Sequence, residues 1–138
     1  MKPTIYFVCT ANSARSQMAE GWARTLLGDR FEIVSGGTHP GVLNPLAVRA
    51  MAEVGIDISS QFAKPIDEAR LRASRLVVTL CGDARETCPV TPPEVQRQHW
   101  PLPDPAKASG TKEERLQRFC EVRDDIRRRM AALDESLV

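Results

Sequence analysis

Ile5-Tyr6-Phe7-Val8 is an unbroken apolar run rich in β-forming residues. Lying between Pro3 and Cys9, it has the pattern of a strand buried on both faces, as in a parallel sheet. The pattern then turns helical from about Arg15 to Leu27, where Met18, Trp22 and Leu26 recur with Ala19, Ala23 and Leu27, and Gly28 is placed as the stop. Phe31-Glu32-Ile33-Val34 predicts a second strand, followed by a turn-rich stretch from Ser35 to Leu43. Asn44-Pro45 is a cap and first-turn pair opening a helix with Ala47, Val48, Met51 and Ala52 on one face and Gly55 as its terminator. A short helix from Ile66 to Ala73 precedes a third buried strand, Leu76-Val77-Val78-Thr79-Leu80. From Cys81 to Pro105, six prolines leave room for one short strand near Gln96–Trp100, within what is otherwise a long loop. Thr111-x-x-Glu114 is a capping box, and Leu116, Phe119, Val122, Ile126, Met130, Leu133 and Leu137 mark the buried stripe of a last helix. This alternation predicts an α/β fold in one domain, residues 1–138, with a four-stranded parallel sheet and helices on both faces.

Composition narrows the function classes. The chain has 138 residues, 19 Lys plus Arg against 18 Asp plus Glu, and a formal charge of +1, so it lacks the basic excess of a general nucleic-acid binder or of a protein held on an anionic membrane. No apolar run approaches the ~18 residues that span a bilayer, and the N-terminal run is too short for a signal h-region. A cytoplasmic location is expected, and nothing demands more than a monomer. In that reducing setting Cys9, Cys81, Cys88 and Cys120 are expected to rest as thiols. Cys120 falls beside the last helix's apolar stripe and reads as packing. His39 and His99 have no ligand or base spacing, and His99 reads as a structural edge residue.

The most informative stretch joins the first strand to the first helix. Cys9 ends the strand, Thr10-Ala11-Asn12-Ser13-Ala14 are small, and Arg15-Ser16 open the helix. A tight loop of this kind can turn successive backbone N–H groups inward as an anion nest, with the helix dipole behind it. Arg15 adds planar donors suited to two oxygens of a tetrahedral oxyanion. The same field favours the Cys9 thiolate, to which Ser16 can donate. A nucleophile under an oxyanion site is arranged for in-line attack on phosphorus or arsenic. Taken singly, Cys9 would be a buried strand-end residue and Arg15 a solvated helix residue; the strand, small loop, serine and helix together favour the site. Neither a Walker A nor a dinucleotide glycine pattern occurs.

The stretch from Cys9 to Gly21, Cys-Thr-Ala-Asn-Ser-Ala-Arg-Ser-Gln-Met-Ala-Glu-Gly, resembles the signature of the thioredoxin-coupled arsenate reductases, which have the low-molecular-weight protein tyrosine phosphatase fold. The similarity continues through Asn44-Pro45, Gly55 to Ser59, the strand ending at Cys81, Cys88-Pro89, His99-Trp100 and Asp104-Pro105-Ala106. The resemblance implies that Cys9 attacks arsenate, with residues 10–16 binding it and Asp104 protonating the departing oxygen. It further implies that Cys81 attacks the Cys9 sulfur, that Cys88 attacks Cys81, and that thioredoxin reduces the resulting Cys81–Cys88 disulfide. No bound cofactor is implied, and phosphate or sulfate is expected to enter the same site. Cys81 would lie on the sheet's carboxyl edge with Cys9, and bridging to Cys88 requires the segment between them to move.

Several positions depart from the family pattern or leave alternatives open. Ala11 stands where glycine is frequent, so the backbone there must suit a residue with a Cβ. Ala14 replaces a frequent cysteine that the relay does not use. Some relatives bind potassium through residues matching Asn12, Glu20, Ser35 and position 64; here position 64 is Lys64, whose ammonium would take the cation's place. No metal is otherwise expected: zinc at Cys81, Cys88 and His99 lacks a close C-x2-C pair. A low-molecular-weight phosphotyrosine phosphatase would share Cys9, Arg15 and Asp104. Ala106 stands where such enzymes usually carry tyrosine, and aromatic residues make up only 5%, leaving at most a weak phosphatase side activity. A non-catalytic oxyanion sensor or a phosphocysteine carrier is the alternative of another class, although a carrier needs neither Arg15 nor two further thiols.

Overall fold

Alternation along the first strand creates a two-sided core. In β1 (Thr4–Cys9), Ile5 and Phe7 turn to one side of the sheet, Tyr6 and Val8 to the other, and all four are buried. β1 lies between β2 (Glu32–Gly37) and β3 (Leu76–Thr79), with β4 (Gln96–His99) outside β3. The order is β2-β1-β3-β4, and every pairing is parallel. This is a computed structural model, and it describes residues 2–80 and 91–136. On the Ile5 and Phe7 side the core gathers Met18 and Trp22 of α1 (Arg15–Leu27), Met51 of α2 (Pro45–Ala52) and Phe119 and Ile126 of α4 (Lys112–Ser136). On the other side Leu71 of α3 (Glu68–Arg72) packs with Tyr6, Val8, Cys9 and Val77. The fold is therefore the α/β arrangement that the sequence predicts, a four-stranded parallel sheet with helices on both faces.

The helix signals act where the sequence places them. Asn44 caps α2 by accepting from the Leu46 N–H at 2.9 Å, with Pro45 in the first turn. Before α4, Thr111 Oγ1 accepts from the Glu114 N–H at 3.1 Å, and Glu114 Oε1 accepts from the Thr111 N–H at 3.2 Å. Gly55 takes φ +80° after α2, a left-handed conformation that glycine adopts without a steric penalty.

Two boundaries and one added turn differ from the sequence expectation, the boundaries through tertiary contacts. β2 runs past Val34 to Gly37, because it stays in register with β1 as far as the Cys9–Gly37 pair. α3 begins only at Glu68: Pro65 remains extended and bridges Gly37, and Asp67 caps the helix by accepting from the Arg70 N–H. In the proline-rich stretch, Pro105–Lys107 forms a single 3-10 turn that the sequence pattern does not announce.

Candidate active site

Cys9 ends β1 on the sheet's carboxyl edge and is buried. Beyond it the chain turns from strand to helix through residues 10–14, and the direction of the carbonyls defines the loop. Cys9 O accepts from Thr38 N–H at 3.2 Å, Thr10 O from His39 N–H at 2.8 Å, Ala11 O from Gly41 N–H at 2.9 Å and Ser13 O from Asn44 N–H at 2.9 Å. Asn12 O is taken by the side-chain nitrogen of Gln17 at 2.8 Å. In a trans peptide the N–H points opposite to the C=O. With these carbonyls drawn outward to the 38–44 segment and to α1, the N–H groups of residues 11–14 turn to the other side. The N-terminus of α1 has neither a side-chain cap nor an acidic residue in its first turn, so its positive end is uncompensated by its own sequence.

Arg15, the first residue of α1, folds across to the segment before α4. Its Nη1 donates to Leu102 O at 3.0 Å, and its Nη2 lies 3.5 Å from Asp104 Oδ2, with the two side chains 10% and 25% exposed. Asp104 uses Oδ1 to accept from the Ala106 N–H at 3.0 Å, capping the 3-10 turn. Residues 89 apart in sequence are thus brought together.

Asn12 holds the loop's one unusual conformation. Its φ of +51° is the only positive value for a non-glycine residue among the described residues, so Ala11, with its Cβ, sits in ordinary backbone space. Asparagine tolerates this region better than most residues, and here its side chain is fully engaged. Nδ2 donates to Ser16 Oγ at 2.7 Å and Ser35 Oγ at 3.1 Å, while Oδ1 accepts from the Lys64 N–H at 3.0 Å and Gln17 Nε2 at 3.1 Å.

Lys64 reaches into the same buried network. Its Nζ lies 3.3 Å from Glu20 Oε1, 3.0 Å from Ser35 Oγ and 3.2 Å from Phe62 O. Ser35 Oγ donates to Glu20 Oε1 at 2.5 Å, and Arg24 approaches the second Glu20 oxygen at 2.9 Å. The structure therefore brings Asn12, Glu20, Ser35 and Lys64 together. Among the described residues no buried side-chain N or O lacks a hydrogen-bond partner.

The scaffold includes residues to which the sequence reading gives no role. Gly37 lies so close to the loop that a Cβ there would stand 2.6 Å from Thr10 O, well inside contact distance. Gln17 and Gln61 are a buried and a half-buried amide joined at 2.8 Å. The signal for Gln17 is a polar residue at a position where α1 is buried on nearly all sides. The other expected site residues divide. Cys81 and Cys88, and the motion expected of the segment joining them, lie outside the described residues. Leu80, the residue before Cys81, is buried and donates its N–H to Val8 O at 2.9 Å. His99 pairs with Thr79 Oγ1 at 2.8 Å, as an edge residue would. Cys120 packs at the interface of α2 and α4. Burial pushes its thiol pKa up, only partly offset by Arg123, whose Nη1 lies 3.3 Å from the sulfur.

The model of the low molecular weight phosphotyrosine protein phosphatase family matches residues 4–138. The chain belongs to that family. Its curated relatives include the arsenate reductase of Bacillus licheniformis, 54% identical over 135 residues that span 98% of this chain and 97% of the relative. The arsenate reductase of Bacillus subtilis is also 54% identical, over 96% and 95% of the two chains. Among solved structures, an arsenate reductase in a phosphate-binding state superposes over 100% of both chains with a TM-score of 0.80 and 36% identity. The thioredoxin-dependent arsenate reductase of Corynebacterium glutamicum matches 98% of this chain and 63% of its own, with a TM-score of 0.73 and 29% identity.

Proposed function

We propose that this chain is an arsenate reductase that works through a covalent Cys9 intermediate and a three-thiol relay emptied by thioredoxin. The observation that carries the reading is the convergence at one sheet edge of Cys9, a loop whose carbonyls are all drawn outward, and the Arg15–Asp104 pair. Residues 10–16 hold the oxyanion through inward N–H groups and the Arg15 guanidinium, and the same positive field favours the Cys9 thiolate. The thiolate attacks arsenic, and an As–O bond breaks as Asp104 protonates the oxygen, which leaves as water. Cys81 then attacks the Cys9 sulfur. A Cys9–Cys81 disulfide forms, and the electron pair of the broken S–As bond stays on arsenic, which departs as arsenite. Cys88 attacks Cys81, releasing the Cys9 thiolate and leaving a Cys81–Cys88 disulfide. The thioredoxin dithiol reduces that disulfide and is itself oxidised.

The decisive assay couples arsenate reduction to NADPH oxidation through thioredoxin reductase and thioredoxin. Wild type is expected to turn over, Cys9→Ser to be inactive, and Cys88→Ser to stop after about one equivalent of arsenite per chain. Multiple turnover by Cys88→Ser would contradict the relay. Phosphate, nearly isosteric with arsenate, is expected to compete, and slow phosphatase activity follows from the shared Cys9, Arg15 and Asp104.

Lys64 serves as a built-in cation beneath the loop. Its ammonium sits among Glu20, Ser35 and Phe62 O, where oxygen ligands would otherwise suit a potassium ion. Turnover in potassium and in sodium buffers of equal ionic strength is therefore expected to agree within about twofold, below the effect of one lost charged hydrogen bond. A several-fold stimulation by potassium would count against this role.

A further inference from the structure

Of the five carbonyls turned out of the anion loop, four are held by main-chain N–H groups of the 38–44 segment and one by a side chain. Asn12 O, the exception, accepts from Gln17 Nε2 at 2.8 Å. It belongs to the residue with φ +51°, the most conformationally costly position in the loop. A flip of the Asn12–Ser13 peptide would turn the carbonyl inward and the Ser13 N–H outward. Such a flip would replace an anion donor by a repelling oxygen.

We propose that Gln17 is a positioning residue that locks this peptide with its N–H toward the oxyanion. The proposal rests on the reading of residues 10–16 as the anion site and adds what holds its least secure peptide. Gln17 Nε2 lies within hydrogen-bond distance of Asn12 O, Asn12 Oδ1 at 3.1 Å and Phe62 O at 2.9 Å, so its two hydrogens meet carbonyl-type oxygens only. Its orientation is fixed from the other end, where Gln61 Nε2 donates to Gln17 Oε1 at 2.8 Å and to Gln17 O at 3.1 Å. Gln17 itself is fully buried, and the network fixes its amide orientation, because the reversed amide would set an oxygen against three acceptors. Asn12 keeps its other bonds to Ser16, Ser35 and Lys64 without Gln17. Besides its bonds to Asn12 Oδ1 and Phe62 O, Gln17 supplies the hold on the Asn12 main-chain carbonyl.

The test compares Gln17→Met, which keeps the bulk without a donor, and Gln17→Glu, which puts an acceptor where the donor was, with Thr111→Ala, a destabilised control remote from the loop. Two quantities are measured on the full chain: the phosphate dissociation constant by calorimetric titration, and the pH midpoint of Cys9 alkylation followed by mass spectrometry. Both Gln17 variants are expected to weaken phosphate about tenfold or more, the effect of losing one hydrogen bond to a charged group. Both should also move the Cys9 midpoint upward, while the control changes neither by more than about twofold. A folded Gln17 variant with wild-type phosphate affinity and midpoint overturns the proposal. If neither variant folds, Gln17→Asn, whose amide falls one carbon short, decides by the same two readouts. Loss of folding in all three makes Gln17 purely structural and overturns it as well. A wild type that fails to bind phosphate would instead remove the anion site on which the proposal stands.

Discussion

Asp104 stands between two demands. One oxygen faces the Arg15 guanidinium and the other caps the turn that follows. Asparagine keeps the cap, because its carbonyl oxygen can accept the same Ala106 N–H, but it can neither donate a carboxylic proton nor carry a negative charge beside Arg15. Asp104→Asn is therefore expected to lower the first-step rate by about 10²–10⁴, the range of a lost general acid. It should leave phosphate binding intact or several-fold tighter, since Arg15 no longer shares its charge with a carboxylate. Single-turnover kinetics beside phosphate titration would separate the two effects; parallel loss of rate and affinity would point to a merely structural Asp104. At this scale the residues legible in the sequence are those whose chemistry is unusual for their place: a strand-end cysteine, an arginine at a helix start, a lysine at a position where the resemblance implies a cation ligand. Gln17 and Gly37 escape notice because their roles depend on what approaches them. The approach of the 61–64 segment and of Thr10 O is a property of the folded chain alone.

Elements were legible in proportion to how locally they are determined. The Asn44-Pro45 cap that opens α2 and the capping box that opens α4 act through atoms a few residues away and stand where the pattern puts them. The far end of β2 and the start of α3 lie beyond local reach, because Ser35-Gly36-Gly37 reads as a turn until β1 is beside it and Pro65 is bridged to Gly37. Thr111→Ala tests the local kind of determinant. Removing the cap of the 25-residue α4 is expected to cost about 1 kcal/mol in denaturant unfolding with an unchanged slope. Catalytic constants should not change, since Thr111 touches none of the residues around Cys9.

For the molecule as a whole, the proposed anion site makes binding and folding one equilibrium. The loop's geometry is held by hydrogen bonds to residues 38–44, 61–64 and α1, so an unfolded chain has no site, and a bound oxyanion stabilises the fold by mass action. Phosphate at a hundredfold excess over its dissociation constant is expected to add about 2.7 kcal/mol. The melting temperature should rise by several degrees over a chloride buffer of matched ionic strength. Arg15→Ala should abolish most of that increment, and an equal rise in both proteins would place the binding elsewhere. The architecture itself was readable because a parallel sheet buried on both faces needs continuous apolar strands, and β1 and β3 supply them.

The ammonium under the anion loop reaches its place on a side chain, and that has a consequence for how the protein tolerates its surroundings. A diffusible ion occupies such a seat only as far as its concentration allows and leaves on dilution. A lysine tethered to the chain is present in every folded copy, at a local occupancy that dilution and the choice of salt cation do not alter. Exhaustive dialysis against a metal-free organic buffer should therefore leave the loop's support as it was.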